Sequence, residues 1–310
     1  METKISSILI PTDFSELSES ALKIGIAIAK RQNAEITLLH VIDRLAHLQP
    51  TEVFVPDIKI SPDYVEEIKT RLNTLSNRIL IDTGIRVIGE VYDGQPSEEI
   101  CSYAYNKKID LIVMGTHGSS GLKEFFIGTE AFRVVKNASC PVLTIPGNWQ
   151  KTVFEKVLFP IRLKAGAIEK YFYARPIIEK NNSELLLLAL GDKKSPSQIK
   201  ELVSFVDRIK YQLHTDSVSF QTTYCASDDF STTVLNKAKD YDADLIVLTA
   251  NLDFNFKAFF VGPYSQQIVN HSLMPVLSIK PISEETQTDS TSKLAENWGS
   301  KINLSELESE

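Results

Sequence analysis

The chain repeats itself, and that repeat constrains its architecture more than any other feature of the sequence. Laid over residues 243–280 without a gap, residues 109–146 are identical at about a third of positions. Asp110-Leu-Ile-Val113 meets Asp244-Leu-Ile-Val247, Phe125-Phe126 meets Phe259-Phe260, Gly128 meets Gly262, and Pro141-Val-Leu143 meets Pro275-Val-Leu277. The offset there is 134, but near the start of each half it is 149: Ile8-Leu-Ile-Pro11 meets Val157-Leu-Phe-Pro160, and Glu35 meets Glu184. The difference of 15 residues marks a segment present only in the first half, for which 43–60 is the candidate. A period of roughly 140–150 residues is the size of a domain, which excludes a solenoid of short repeats. Two domains are expected, 1–147 and 152–281, divided near Gly147-Asn-Trp-Gln150 and followed by a tail over 282–310.

Each half alternates strand-like and helix-like patterns. In the first, Ile5–Pro11, Ile36–Val41, Ile85–Val91, Leu111–Met114 and Val142–Ile145 read as strands. Between them, Ser15–Arg31 carries Leu17, Ala21, Ile24 and Ile28 on one helical face, with Ser15 as N-cap. Ser61-Pro62-Asp63 opens a second helix, and Gly94-Gln-Pro-Ser97 turns into a third that runs through Asn106. The second half repeats the strands at 156–160, 184–190, 217–223, 245–249 and 276–279. Continuous Val/Ile/Leu strands alternating with helices predict an α/β fold of two tandem Rossmann-like domains, each a parallel sheet covered on both faces. Right-handed crossovers predict the strand order 3-2-1-4-5 in each.

Composition excludes several function classes. Of 310 residues, 43% are apolar and 24% charged, as in ordinary globular domains. The net charge of −7 argues against a nucleic-acid binder, which needs a basic face. Most of that charge lies in the tail, where seven acidic residues stand against Lys293 and Lys301. Ser, Thr and Glu dominate that tail, so it is expected to be disordered. No apolar run approaches the roughly 18 residues of a membrane span, and the N-terminus has no signal-peptide architecture. Cys101, Cys140 and Cys225 are odd in number and widely spaced, which predicts no disulfide framework and a cytoplasmic location. The histidines show no metal-ligand spacing.

The chemistry concentrates after the fourth strand, at Gly115-Thr-His-Gly118, followed nine residues later by Gly128-Thr129. Glycines there are expected to turn the chain tightly and to present backbone N–H groups to an anion. Gly128-Thr129 opens a helical pattern through Ala131, Val134 and Val135, so its amides sit where a helix stabilises phosphate. In a sheet of order 3-2-1-4-5, ligands bind where strands one and four diverge. That places Pro11-Thr12-Asp13 opposite Met114-Gly115. Asp13 is poised to accept from ribose hydroxyls or an adenine amino group, or to cap the first helix. Val41 offers an apolar wall to a base, His117 a donor to phosphate, and Thr129 both a hydroxyl and an N–H.

These residues resemble the universal stress protein family in a tandem arrangement. The markers are Ile8-Leu-Ile-Pro-Thr-Asp13-Phe-Ser, Gly94-x-Pro96, Val113-Met-Gly-Thr-His-Gly-Ser-Ser-Gly-Leu122, Gly128-Thr129 and Cys140-Pro-Val-Leu143, and the likeness covers residues 1–281. The resemblance implies adenine nucleotide α-hydrolase-like domains. Gly-x2-Gly-x9-Gly-Ser/Thr, matched by Gly115, Gly118, Gly128 and Thr129, implies the ATP-binding type, with Mg²⁺ shielding the phosphates. By the family pattern Asp13 and the Val41 backbone hold adenosine, while Gly115 through Gly118 and Gly128 through Glu130 hold phosphates. Pro11, Thr12 and Met114 complete the implied set. Ser119 stands where many members carry arginine.

The second half departs from this pattern. Thr249 and Leu252 replace the two loop glycines, Pro263 replaces Thr129, Arg162 stands where Asp13 does, and Asp228 and Phe230 replace Gly94 and Pro96. It is expected to keep the fold and to lack the nucleotide site. Family members pair through their last strands, so Val142–Ile145 and Val276–Ile279 are expected to pair within this chain, giving an internal pseudo-dimer that dimerises again. The resulting reading is an ATP-binding stress-response regulator acting on a protein partner not named by the sequence. A slow ATPase or nucleotidyl- or phosphoryl-transfer enzyme is one alternative; an interaction module with a vestigial site is another. Against the enzyme, the chain has no Walker Gly-x4-Gly-Lys-Ser/Thr motif and no evident general base, so no catalytic residue is assigned.

Overall fold

Continuous burial along the central strands, which are covered on both faces, sets the architecture. In the computed structural model, which describes residues 3–43, 60–116, 128–163, 169–193, 199–250 and 264–280, each half is a β-α-β-α-β-α-β-α-β run. The first half comprises β1 (Ser7–Pro11), α1 (Glu16–Gln32), β2 (Glu35–Ile42), α2 (Pro62–Thr83), β3 (Val87–Asp93), α3 (Pro96–Asn106), β4 (Leu111–Gly115), α4 (Thr129–Asn137) and β5 (Val142–Ile145). The second comprises β6 (Lys156–Ile161), α5 (Glu169–Asn181), β7 (Glu184–Asp192), α6 (Ile199–Thr215), β8 (Phe220–Ser227), α7 (Phe230–Asp240), β9 (Leu245–Thr249), α8 (Tyr264–His271) and β10 (Val276–Ile279). The tail, most of 43–60, His117, Gly118, both Phe-Phe pairs, Leu252, Gly262 and Pro263 lie outside the described residues.

The ten strands form one sheet in the order β3-β2-β1-β4-β5-β10-β9-β6-β7-β8. Each half therefore has the order 3-2-1-4-5, and every pair within a half is parallel. The halves join where β5 and β10 run antiparallel, with Leu143 opposite Leu277 and the Thr144 hydroxyl donating to the Val276 carbonyl at 3.2 Å. Alternate strand residues serve opposite faces. Ile8, Ile10, Val157 and Phe159 enter a core that runs under α1, α2, α5 and α6 across both halves. Leu9 and Leu158 enter separate cores, one under α3 and α4, the other under α7 and α8.

Two details explain how the halves are pinned. Asp110 and Asp244, equivalent in the repeat, each latch the entry of a first strand. Asp110 accepts from the Ser6 and Ser7 amides at 2.8 and 2.9 Å, and Asp244 accepts from the Glu155 and Lys156 amides at 3.0 and 2.9 Å. The second pin follows from Pro176 inside α5, which has no N–H to give the Phe172 carbonyl. The Thr3 hydroxyl, from the first half, donates to that carbonyl instead, and Gln32 Nε2 donates to the Pro176 carbonyl at 2.6 Å.

Most expected boundaries are met to within two residues, and Ser15 caps α1, its hydroxyl accepting from the Ser18 amide. Two offsets, of two residues at β1 and of three to four at β8, have physical reasons. β1 begins at Ser7 rather than Ile5, because the Asp110 latch occupies the Ser6 and Ser7 amides first. β8 spans Phe220–Ser227 rather than 217–223: Ser217 takes a left-handed φ of 57° and closes the turn after α6, delaying the strand.

Candidate functional site

β1 and β4 are neighbours, paired through Ile8–Leu111 and Leu9–Ile112, and the strand order reverses between them. Their carboxyl ends release Thr12-Asp13 and Thr116. The β1 exit is tightly wound. The Thr12 amide extends the ladder to the Leu39 carbonyl at 2.9 Å, and its buried hydroxyl lies 3.2 Å from the Ser18 hydroxyl and accepts from the Phe14 amide at 3.1 Å. Asp13 is exposed, and its Oδ1 accepts from the Ser15 amide at 3.0 Å and the Ser15 hydroxyl at 2.6 Å. Ser15, not Asp13, caps α1; Asp13 steadies the cap and is itself steadied by it.

The two parts of the glycine motif are brought together. The Thr116 amide donates to the Ile145 carbonyl at 3.1 Å, and the Gly128 amide donates to the Thr116 carbonyl at 2.6 Å. Thr116 and Gly128 thus meet, and Thr129, the first residue of α4, stands beside the exit of β4. This corrects two expectations. Gly115 does not turn: it is the last residue of β4, in register with Ile145, and Gly84 and Gly94 are the positive-φ glycines among the described residues. The Gly128 amide is engaged by Thr116, so the first-turn amides that follow it at Thr129 and Glu130 are the donors a helix start leaves without intrahelical partners. Gly128 has φ −60° and ψ 150° and supplies no side-chain cap. α1 and α7 are capped by Ser15 and Asp229, while α2 and α3 share with α4 the lack of a side-chain cap bond.

The remaining expected residues fall into two groups. Pro11 is half-buried in β1, and Val41 is half-buried in β2 beside Tyr92 of β3, forming an apolar wall. Met114 is buried in the core under α3 and α4, so only its backbone reaches the strand exit. The Glu130 carboxylate turns away toward α3: it accepts from the Ser97 amide at 2.8 Å, in that helix's first turn, and pairs with Arg133 at 2.7 Å. Its side chain ties α4 to α3.

Two site residues escape a reading of the sequence. His40, at the end of β2, is buried, and its Nδ1 lies 2.8 Å from the Thr12 carbonyl. Burial is the main force on its pKa and draws it below the usual histidine value, against the opposing pull of the Thr12 carbonyl and Asp13. Phe14 stacks on His40 at 5.1 Å and takes a left-handed φ of 60°. Neither carries a local signal, because the contact joins β1 to β2 across 26 residues of sequence.

Cys101 and Cys140 pack beside the α3–α4 core, and burial pushes their thiols up to about 11 and about 12, which keeps them protonated and poorly nucleophilic. No group of three or more His, Cys, Asp or Glu suited to a metal ion occurs among the described residues. No helix among them is long and apolar enough to cross a membrane.

At the equivalent point of the second half, the chemistry is inverted. Arg162, the counterpart of Asp13, lies over the Phe230 ring at 4.3 Å and the Tyr264 ring at 4.8 Å. These rings occupy the positions of Pro96 and Glu130, so a cation between two aromatics stands where the first half has a carboxylate. Asp228, in place of Gly94, lies 3.6 Å from Lys193.

The fold and the strand-exit site define a tandem, doubly wound α/β protein. A family model described as the universal stress protein family matches residues 4–146. A universal stress protein of Methanocaldococcus jannaschii is 35% identical over 145 residues, covering 46% of this chain and 84% of the relative. A second from the same organism is 33% identical over 158 residues, covering 47% of this chain and 97% of the relative. The chain belongs to the universal stress protein family. The whole fold has a solved counterpart: a universal stress protein from Archaeoglobus fulgidus DSM 4304 superposes with a TM-score of 0.69 at 20% identity, covering 88% of this chain and 98% of its own.

Proposed function

We propose that this chain is a cytoplasmic stress-response regulator that binds one ATP, with Mg²⁺, in its first half. The reading divides the chain into a nucleotide-binding domain over 1–147, a degenerate domain over 152–281 and an acidic tail. The observation that carries it is the Gly128 amide to Thr116 carbonyl bond, which sets an α-helix start with no side-chain cap beside the exits of β1 and β4. The donor set fits a nucleotide. The amides of Thr129 and Glu130, the Thr129 hydroxyl, His117 and the backbone of Gly115 through Gly118 take the phosphates. Asp13 takes the ribose or the adenine amine, and Val41 with the backbones of Pro11, Thr12 and Met114 lines the base. Mg²⁺ would be held by phosphate oxygens, where it neutralises their charge.

The second half serves as a built-in partner. Its last strand completes the β5–β10 pairing, so association of two chains would use other surfaces. Arg162 and its two rings fill the place of Asp13, which supports one nucleotide per chain rather than two.

Calorimetric titration of the full chain with Mg–ATP tests the site. Asp13→Ala and Gly118→Ala are each expected to weaken binding by about tenfold or more, equivalent to about 1.4 kcal/mol. Wild-type affinity in both variants refutes the proposed site.

A further inference from the structure

Phe14 occupies a backbone conformation that a bulky side chain rarely adopts. Its φ is 60°, in the left-handed region where glycine meets no steric penalty. The ring explains why phenylalanine is found there. One face stacks on the His40 imidazole, with centroids 5.1 Å apart and planes 27° apart. The Arg71 guanidinium, from α2, lies 4.1 Å from the ring centroid. The His40 ring is fixed in turn by the 2.8 Å contact between its Nδ1 and the Thr12 carbonyl, two residues before Phe14. Three elements, the exits of β1 and β2 and the middle of α2, therefore converge on one ring, and the residue immediately before that ring is Asp13.

The second half supplies an internal comparison. Pro11 pairs with Leu39 and Pro160 with Leu188, so Phe14 corresponds to Leu163 and His40 to Ala189. The buried stripe Ile68, Leu72, Ile79 of α2 matches Leu202, Val206, Leu213 of α6, so Arg71 corresponds to Phe205. All three members of the stack are absent from the half in which Arg162 replaces Asp13.

We propose that the Arg71–Phe14–His40 stack is a positioning device for Asp13, with Phe14 as the positioning residue. This rests on the nucleotide reading given above. The stack holds the Thr12–Ser15 turn in its left-handed form. In that form Asp13 is braced by Ser15 and presents one carboxylate orientation at the exit of β1. The ring itself makes no contact with the ligand. The energy that holds an unfavourable φ comes from the ring's contacts with His40 and Arg71, so the turn is set before the ligand arrives and costs less to order on binding.

The test uses the full chain as wild type, Phe14→Leu, Phe14→Tyr, Asp13→Ala and the Phe14→Leu/Asp13→Ala double variant. Three-bond couplings to the Asp13 methylene protons, measured by NMR without nucleotide, are expected to report one rotamer in wild type and in Phe14→Tyr, and rotamer averaging in Phe14→Leu. Mg–ATP titration is expected to weaken about five- to tenfold in Phe14→Leu and to stay within about twofold of wild type in Phe14→Tyr. The double variant is expected to bind no more weakly than Asp13→Ala alone, because a positioning residue has no effect once its target is gone. An Asp13 rotamer unchanged in Phe14→Leu overturns the proposal, whatever the chain binds. So does a double variant whose loss is the product of the two single losses. No ATP binding in wild type, with the rotamer averaging present, overturns the nucleotide reading and leaves Asp13 positioned for another ligand.

Discussion

Lys170 offers a stability test of the fold that is independent of any ligand. It lies in α5, is 2% exposed, and its Nζ sits 4.3 Å from the Phe159 ring centroid while donating to the Pro160 carbonyl. The equivalent of Lys170 in the first half is Ala21, fully buried in α1, so the fold does not require an amine there. Burial lowers the lysine from an ordinary 10.5 to about 7. At 1.36 kcal/mol per tenfold, burying it costs roughly 4 kcal/mol at pH 7, because the lysine is fully protonated in the unfolded chain and holds its proton far more weakly in the folded one. Replacement by methionine fills the same volume without the amine but leaves the Pro160 carbonyl short of a donor, at about 1–3 kcal/mol. Lys170→Met is therefore expected to be more stable than wild type by about 1–3 kcal/mol at pH 7. The sign of the pH dependence follows from the lowered value. The penalty is full below about 7 and disappears as pH rises toward the unfolded value near 10.5, so the advantage of the methionine variant shrinks above pH 7 and reverses by about pH 10, where the loss at the Pro160 carbonyl remains. Urea denaturation at pH 7, 8, 9 and 10 measures both. A methionine variant less stable at pH 7, or a gap that stays constant with pH, would falsify the assignment of Lys170 as a buried amine with a lowered pKa.

Two further expectations follow from the latch and the site. Asp244 is 3% exposed and accepts from two strand-entry amides as well as Lys151, so Asp244→Ala should cost about 2–4 kcal/mol by urea denaturation. Lys151→Ala, at a side chain 56% exposed, should cost less than about 1 kcal/mol, and equal losses would show that the amide contacts contribute little. His40 is held below its ordinary value by burial, so the stability it contributes is complete above about pH 6.5 and declines as pH falls below that, where the unfolded histidine takes up a proton first. Histidine-selective NMR should find the His40 ring neutral at pH 6.5, and a ring at least half protonated there would contradict this.

The large-scale organisation was legible because it rests on repeated, local signals. The runs at Leu111–Val113 and Leu245–Val247, the serine before α1 and the proline opening α2 all carry their structure within a few residues. Right-handed crossovers then gave the strand order, and the repeat carried it to both halves. The site was legible only in part. Asp13 and Thr129 could be placed because they follow a strand and open a helix, but what holds them depends on contacts between distant residues. The Gly128–Thr116 bond uses an amide that a reading of the motif reserves for phosphate. Glu130 looked like part of the cradle, yet its carboxylate is drawn to the Ser97 amide across from α3. Phe14 gave no warning of a left-handed backbone, since glycine or asparagine is the usual signal and here a stack on two neighbours compensates for the side chain.

The most direct test of one nucleotide site per chain is the stoichiometry of Mg–ATP binding to the purified full chain, by calorimetry against a concentration fixed by amino-acid analysis. About one ATP per polypeptide is expected, bound about tenfold or more weakly in Asp13→Ala and unaltered in number and affinity by Arg162→Ala. Two equivalents per chain, or one that survives Asp13→Ala undiminished and vanishes with Arg162→Ala, would place the site in the second half and contradict it.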